Sequence, residues 1–265
     1  MTRKSIFITG GGSGIGRAVA HYFAARDWFV GLGDVDMDGM RETQDGLKKG
    51  FSYLHEFDVR DRAEWDEALR NFATAAGGRI DVLANNAGVG LGGPLAEMSE
   101  AELTRCLDIN LKGALFGAQA AHPYLKETAP SSCLVTTCSA AGMYGAPNMS
   151  VYCATKFGVR AMTESLDAEW SEDGIRVRSV MPSFIDTPLL DHTSNERDNE
   201  SVRQKVSDAG LEITPVTAVA ETVWAAVHGD RLHTAVGATA KRLQFATRWM
   251  PGRVRKMQRS RIFGA

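Results

Sequence analysis

Apolar runs long enough to cross a bilayer are missing from this 265-residue sequence, in which no stretch approaches the roughly 18 residues a membrane helix requires. No charged leader with an apolar core precedes the first apolar run at Ser5. Cysteine is scarce: Cys106, Cys133, Cys138 and Cys153 form no CxxC pair, and the six histidines include no HExxH. These absences argue against a disulfide framework and a structural zinc site, and a reducing cytoplasm is the expected compartment with no metal. Charge of one sign is also lacking, with 30 basic against 32 acidic residues and a net charge of -2, so nothing points to nucleic acid as a partner. Internal repeats and low-complexity segments are absent.

What remains is the composition of a soluble globular chain, 44 % hydrophobic, long enough to bury a sizeable core and expected to form a single domain over 1–265. Short apolar runs alternate with longer segments of helical period, the pattern of βαβ units feeding a parallel sheet. Strands are expected at 5–9, 28–34, 51–59, 80–86, 132–139, 175–182 and 233–237. The fold class is therefore α/β: a doubly wound, Rossmann-like sheet of seven mainly parallel strands with helices on both faces. Asp61 with Glu64, and Ser99 with Glu102, have the spacing of helix N-caps, and Thr214 with Pro215 opens another helix. Gly174 and Gly229 are expected to leave their helices in the left-handed conformation.

Two segments differ in composition. Residues 188–214 are polar and charged, which suits a substrate lid or a solvated helix pair. Residues 239–265 form a basic tail: from Lys241 onward there are eight Lys and Arg and no acid, while Leu243, Ala246, Met250, Val254 and Met257 recur at helical spacing. Pro251 and Gly252 should divide it. Such a face can pack on the body, pair with another subunit or contact an anionic membrane surface.

The glycine-rich stretch TGGGSGIG follows the first strand and opens a helical pattern. Glycine admits the tight turn and the close approach of backbone to a pyrophosphate, with helix amides directed at the anion. No register fits GxGxxG, and the lysine of a P-loop is absent. Asp34 ends the second strand about where an acid should meet the adenosine ribose; a carboxylate there accepts from both hydroxyls and repels a 2′-phosphate, favouring NAD. Asp36 competes for that role, helix capping would account for both acids, Ser13 adds no cation, and Arg17 could lie near the same sugar. Downstream, Tyr152 and Lys156 are four apart and share a helix face, where an ammonium would lower the phenol pKa, and Ser139 ends the fifth strand.

Taken together these motifs resemble the short-chain dehydrogenase/reductase family, in its single-domain members of about this length. TGGGSGIG matches TGxxxGIG, NNAG at 85–88 matches the turn backing the adenine side, Asp58 in DVRD matches the acid at the adenine ring, and Asn110 in LDINLKG matches the helix asparagine. The resemblance implies a catalytic set of Asn110, Ser139, Tyr152 and Lys156. Tyr152 would be the general acid/base, Lys156 would bind the nicotinamide ribose and lower the tyrosine pKa, Ser139 would orient the substrate oxygen, and Asn110 would hold a water on the proton path. NAD would be held by Gly10, Ser13, Gly14, Ile15, Gly16, Asp34, Asp58, Val59, Asn86, Ala87, Gly88, Tyr152, Lys156, Pro182, Ile185 and Thr187. The implied activity interconverts a secondary alcohol and a ketone by hydride transfer; an NADP(H)-dependent carbonyl reductase and a nucleotide-binding regulator without turnover are the alternatives. The family also implies a homotetramer or homodimer built partly through the helices of Asn110 and Tyr152.

Two departures from the family pattern stand out. Ser183 follows Pro182 where glycine is usual, and Cys138 replaces a common second serine. Cys138 and Cys153 are expected to turn into the core. The loops after the fourth, fifth and sixth strands offer Met143, Tyr144, Phe184, Leu189 and Leu190, which suggests an apolar small-molecule alcohol or ketone as the substrate.

Overall fold

In the computed structural model, which describes residues 3–193, 195 and 199–259, all seven expected apolar runs become strands. They are β1 (Ser5–Thr9), β2 (Phe29–Asp34), β3 (Ser52–Glu56), β4 (Val82–Asn85), β5 (Cys133–Thr137), β6 (Arg176–Pro182) and β7 (His233–Val236). One sheet joins them in the order β3-β2-β1-β4-β5-β6-β7, and every pairing is parallel rather than mainly so. The helices are α1 (Gly14–Ala24), α2 (Met37–Asp45), α3 (Arg62–Ala75), α4 (Glu100–Leu107), α5 (Gly113–Glu127), α6 (Ser150–Glu169), α7 (Val202–Asp208), α8 (Val216–His228), α9 (Ala238–Trp249) and α10 (Pro251–Arg259).

Successive strand residues point to opposite faces, so a sheet covered on both sides needs apolar side chains at every position. β1 meets this demand with all five residues buried. Ile6 and Ile8 pack with Val19 and Phe23 of α1, Met40 of α2 and Val223 of α8, whereas Phe7 joins Trp65 and Phe72 of α3, Leu125 of α5 and Val159 of α6. Phe23 packs edge-on against Trp28 and Trp224, with ring centroids 5.1 and 5.0 Å away, and so fastens α1 to α8.

The ends of elements follow local hydrogen bonding more than apolar pattern. β3 stops at Glu56, short of the expected 59, because the Asp58 N–H is taken by the Glu64 carboxylate at 2.6 Å and the Arg60 N–H by Asp58 at 2.9 Å. Glu64 thus ends a strand instead of closing a reciprocal cap, while Asp61 caps α3 by accepting from Ala63 and Glu64 N–H. Ser99 and Glu102 form the full capping box. Gly174 is left-handed at φ 71°, but Gly229 is not: its φ is -111°, and its carbonyl accepts from Arg178 Nε. Pro251 divides the tail as expected by opening α10, with Gly252 inside that helix rather than at the break. A single π turn, Asp108–Lys112, connects α4 to α5.

Trp65 is fully buried, donates from Nε1 to the Val59 carbonyl at 3.0 Å, and fills space that a Cβ on Gly117 would enter at 2.6 Å. Trp65→Ala is expected to destabilise the fold by about 3–5 kcal/mol in denaturant titration, from a cavity and a lost hydrogen bond at the loop carrying Asp58.

Candidate active site

Because all strands run parallel, their carboxyl ends gather on one edge, and the order reverses between β1 and β4, where a crevice opens. The glycine turn lies at that crevice. A Cβ on Gly16 would sit 2.0 Å from the Gly10 carbonyl, and Gly14 has φ 47°. No other residue fits the first position without moving backbone, and at the second any side chain is strained. Ser13 occupies the N-cap of α1 with an exposed side chain that makes no cap bond, and the first turn holds no acid. The first amides of α1 therefore keep their donors and the positive end of the dipole for an anion, and the cradle fits a nucleotide pyrophosphate. Thr187 closes it from the β6 side, 3.2 Å from where a Gly14 Cβ would lie.

Around this turn the acidic candidates separate. Asp36 caps α2 by accepting from Gly39 N–H at 2.9 Å. Asp34 caps nothing; its carboxylate accepts from Gly12 N–H at 2.9 Å and Asp36 N–H at 3.1 Å, at the end of β2 beside the glycine turn. Arg17 is turned onto the Gly12 and Gly39 carbonyls, Thr43 and the Glu42 carboxylate, the last at 2.9 Å. Asp58 is gripped by Arg60, whose guanidinium holds its carboxyl below the ordinary carboxylate range. Asn86 works on the strands: its N–H donates to Thr9 Oγ1 and its Nδ2 to the Thr9 carbonyl, both at 2.9 Å, while Ala87 N–H also meets Thr9 Oγ1.

The four residues of the expected catalytic set converge from three elements. Lys156 Nζ lies 5.6 Å from the Tyr152 ring centroid and donates to the Thr137 carbonyl at 3.1 Å. Ser139 stands near enough to the Tyr152 hydroxyl to lower its pKa, while its Oγ donates to the Pro182 carbonyl at 3.5 Å and accepts from Ala141 N–H at 3.1 Å. Asn110 sits in the π turn, with its Oδ1 accepting from Val89 N–H and its Nδ2 donating to the Val89 carbonyl, both at 2.8 Å. A Cβ on Gly88 would lie 3.1 Å from Asn110 Oδ1 and 3.7 Å from Lys156 Nζ, so these two side chains flank one glycine.

The electrostatics differ from expectation. Burial pushes the Tyr152 phenol up to about 12, partly offset by the nearby Ser139 hydroxyl, and burial pushes the Lys156 ammonium down. Desolvation is the largest cause for both groups and works against the charged form of each. Thr137, at the end of β5, holds both Lys156 through its carbonyl, at 3.1 Å, and Asn86 Oδ1 through its hydroxyl, at 2.9 Å. Thr9, the first residue of TGGGSGIG, acts in the same way at the end of β1.

Ser183 is accommodated by a glycine elsewhere. A Cβ on Gly237 would fall 2.4 Å from Thr214 Oγ1 and 3.3 Å from Ser183 Oγ, and neither hydroxyl has a hydrogen-bond partner among the described residues. Of the pocket candidates, Met143 and Leu190 are buried, Tyr144 packs partly against the core that holds Met143, and Leu189 is exposed opposite Gly90. Leu91, Cys106 and Val151, equally buried, form a further apolar wall beside Tyr152 with Met98 and Leu103. The segment after β6 is fastened by Arg203 on α7, which pairs with Asp186 at 2.7 Å and Asp191, while Asn195 donates to the Gly92 carbonyl. Residues 194 and 196–198 of that segment lie outside the described residues.

The model of the family described as short chain dehydrogenase matches residues 4–198 of this chain. The chain belongs to the short-chain dehydrogenases. It is accordingly an oxidoreductase acting on CH–OH groups, with a nucleotide-binding Rossmann-like fold. Two curated short-chain relatives are 32 % identical to it: a meso-2,3-butanediol dehydrogenase from Serratia marcescens, aligned over 89 % of this chain and 95 % of its own, and a levodione reductase from Leifsonia aquatica, over 81 % of each. A short-chain dehydrogenase/reductase from Burkholderia phymatum, solved in complex with NAD, superposes with a TM-score of 0.82 at 25 % identity, covering 96 % of this chain and 95 % of that one.

All four cysteines of this dehydrogenase are buried free thiols, and burial raises each above its ordinary pKa, Cys133 to about 12. A thiol that is both protonated and shielded is a poor nucleophile. Iodoacetamide at pH 8 should therefore leave the native chain unmodified by intact mass and alkylate all four thiols in guanidinium.

Proposed function

We propose that the chain is an NAD(H)-dependent enzyme that interconverts an apolar secondary alcohol and its ketone, with Tyr152 as the general acid/base. The placement of Lys156 Nζ 5.6 Å from the Tyr152 ring, fixed by the Thr137 carbonyl and flanking Gly88 together with Asn110, is the observation that carries the reading. Asp34 supports NAD: its carboxylate stands at the glycine turn without capping a helix, while Arg17, which reaches the same turn, is paired with Glu42. The apolar wall of Leu91, Cys106 and Val151 supports the substrate class.

Gly10, Ser13, Gly14, Ile15 and Gly16 would hold the pyrophosphate, Asp34 the adenosine ribose, Asp58, Val59, Asn86, Ala87 and Gly88 the adenine side, Lys156 and Tyr152 the second ribose, and Pro182, Ile185 and Thr187 the carboxamide end. The nicotinamide supplies or accepts the hydride. Tyr152 moves a proton between its hydroxyl and the substrate oxygen, and Ser139 orients that oxygen by hydrogen bonding. Lys156, kept in place by the Thr137 carbonyl, sets the charge near the phenol. Both ends of the Asn110 amide are engaged by Val89, so a water on the proton path would rest on the Asn110 backbone. Exposed Leu107, Leu115 and Phe157, on α4, α5 and α6, support assembly into a homo-oligomer through these helices.

Tyr152→Phe should lower turnover of a reactive secondary alcohol by about 10²–10⁴-fold while NAD still raises the melting temperature. Retained turnover would remove Tyr152 from its role, and no turnover by the unaltered chain across a panel of secondary alcohols and ketones would favour a nucleotide-binding regulator. NAD should stabilise the chain more than NADP, with Asp34→Ala narrowing the difference; equal stabilisation of the unaltered chain by both would favour the NADP reading. A phenol near 12 stays protonated at neutral pH, so ketone reduction should be flat between pH 6 and 8 while alcohol oxidation climbs with pH. Ser139→Ala, which removes the hydroxyl that lowers this pKa, should move the climb to higher pH.

A further inference from the structure

The basic tail is fixed to the body at three points. The Glu212 carboxylate accepts from Ala238 N–H at 2.8 Å at the start of α9, Ala240 and Leu243 join the core on the α6 side, and Gln258 of α10 donates to the Gly145 carbonyl while Val254 is buried. With the tail held in this way, its largest apolar side chains remain outside. Phe245 is 59 % exposed and Trp249 66 % exposed, one turn apart. At about 100° per residue they lie on the opposite side of α9 from Leu243, alongside Lys241, Arg242 and Arg248. Exposed Arg253, Arg255, Lys256 and Arg259 continue the positive surface on α10, and Arg261 lies outside the described residues.

We propose that α9 and α10 dock on an anionic lipid surface, with Phe245 and Trp249 entering the interface and the arginines and lysines meeting the head groups. Charge selects this occupant. All 32 acidic residues of the chain precede Lys241, whereas eight of its 30 basic residues lie from there onward, so the tail is a concentrated cation on an acidic body. A second copy joined through the same patch on a two-fold axis would set arginine against arginine. A nucleic acid tracking beyond the tail would meet the acidic body. A basic helix with Trp and Phe at its surface has the composition of an interfacial anchor, its basic residues being attracted to an anionic leaflet. Among the described residues no helix is long and apolar enough to cross a membrane, so the contact is peripheral.

The test uses the full chain with vesicles of phosphatidylcholine alone or with 30 % phosphatidylserine, in sedimentation at 0.1 M and 0.5 M salt. Partitioning at least tenfold higher on the anionic vesicles, lost at high salt, is expected, with a blue shift of tryptophan emission that Trp249→Phe abolishes. Phe245→Ser with Trp249→Ser should reduce partitioning at least tenfold. If that variant fails to fold by circular dichroism, quenching of the unaltered chain by brominated lipid in the anionic vesicles replaces it, with quenching expected. Absent or equal binding to the two vesicles overturns the proposal. So do undiminished binding by the folded double variant, an emission shift that survives Trp249→Phe, lack of quenching, a soluble mass that drops in the double variant, and preference for duplex DNA over anionic vesicles at equal phosphate.

Discussion

A continuous path of hydrogen bonds runs across the carboxyl edge of the sheet, and both halves of the site hang from it. Thr9 at the end of β1 receives Asn86 through hydroxyl and carbonyl; Asn86 Oδ1 receives the Thr137 hydroxyl; the Thr137 carbonyl receives Lys156 Nζ. Four residues, at the ends of three adjacent strands and on one helix, are thereby linked in series by bonds of 2.9 to 3.1 Å. The glycine turn begins at the residue after Thr9, and Ser139 stands two residues after Thr137. Displacing any member of this path moves the nucleotide cradle relative to Tyr152, and buried polar networks of this kind are strongly coupled.

The same burial that makes the path rigid governs the titrating pair. Removing water raises the phenol of Tyr152 and lowers the ammonium of Lys156, so the surroundings oppose formation of the phenolate–ammonium pair. Lys156 nonetheless has a fixed acceptor in Thr137, and Tyr152 has one polar neighbour in Ser139. On the proposed reading, Tyr152 in this environment would donate a proton at neutral pH more readily than it would accept one.

Much of this was legible from residue order. Seven strands follow from apolar runs whose pattern has one physical solution, a parallel sheet covered on both faces, and TGGGSGIG, Asp34, Ser139, Tyr152 and Lys156 occur where such a sheet brings them together. Hidden contributions came from backbone atoms and from side chains that look like strand residues. Thr137 acts through hydroxyl and carbonyl groups at a strand end, where a β-branched residue carries no signal distinct from packing, and Thr9, although part of TGGGSGIG, does not announce from sequence that it anchors Asn86. Loop position does not fix side-chain direction: of the loop residues offered as pocket lining, Met143 and Leu190 are buried and Leu189 is exposed. Ser183 could not be understood alone, since the room for it is left by Gly237, distant in sequence and adjacent only after folding.

The tail shows the limit of periodicity most directly. Leu243, Ala246, Met250 and Val254 define an inward stripe, and the burial of Val254 and the packing of Leu243 follow it. Phe245 and Trp249 define a second stripe on the other side of the same helix, and a helix with two apolar stripes can bury only one against a single body. The body is contacted through small and aliphatic side chains, Ala240 and Leu243, which allow α9 to lie close beside β7. Choosing the aromatic stripe instead would hold the helix further out and break the Glu212 cap. Close packing at the sheet edge therefore decides which stripe is left over, and the aromatic pair is left facing outward among the arginines.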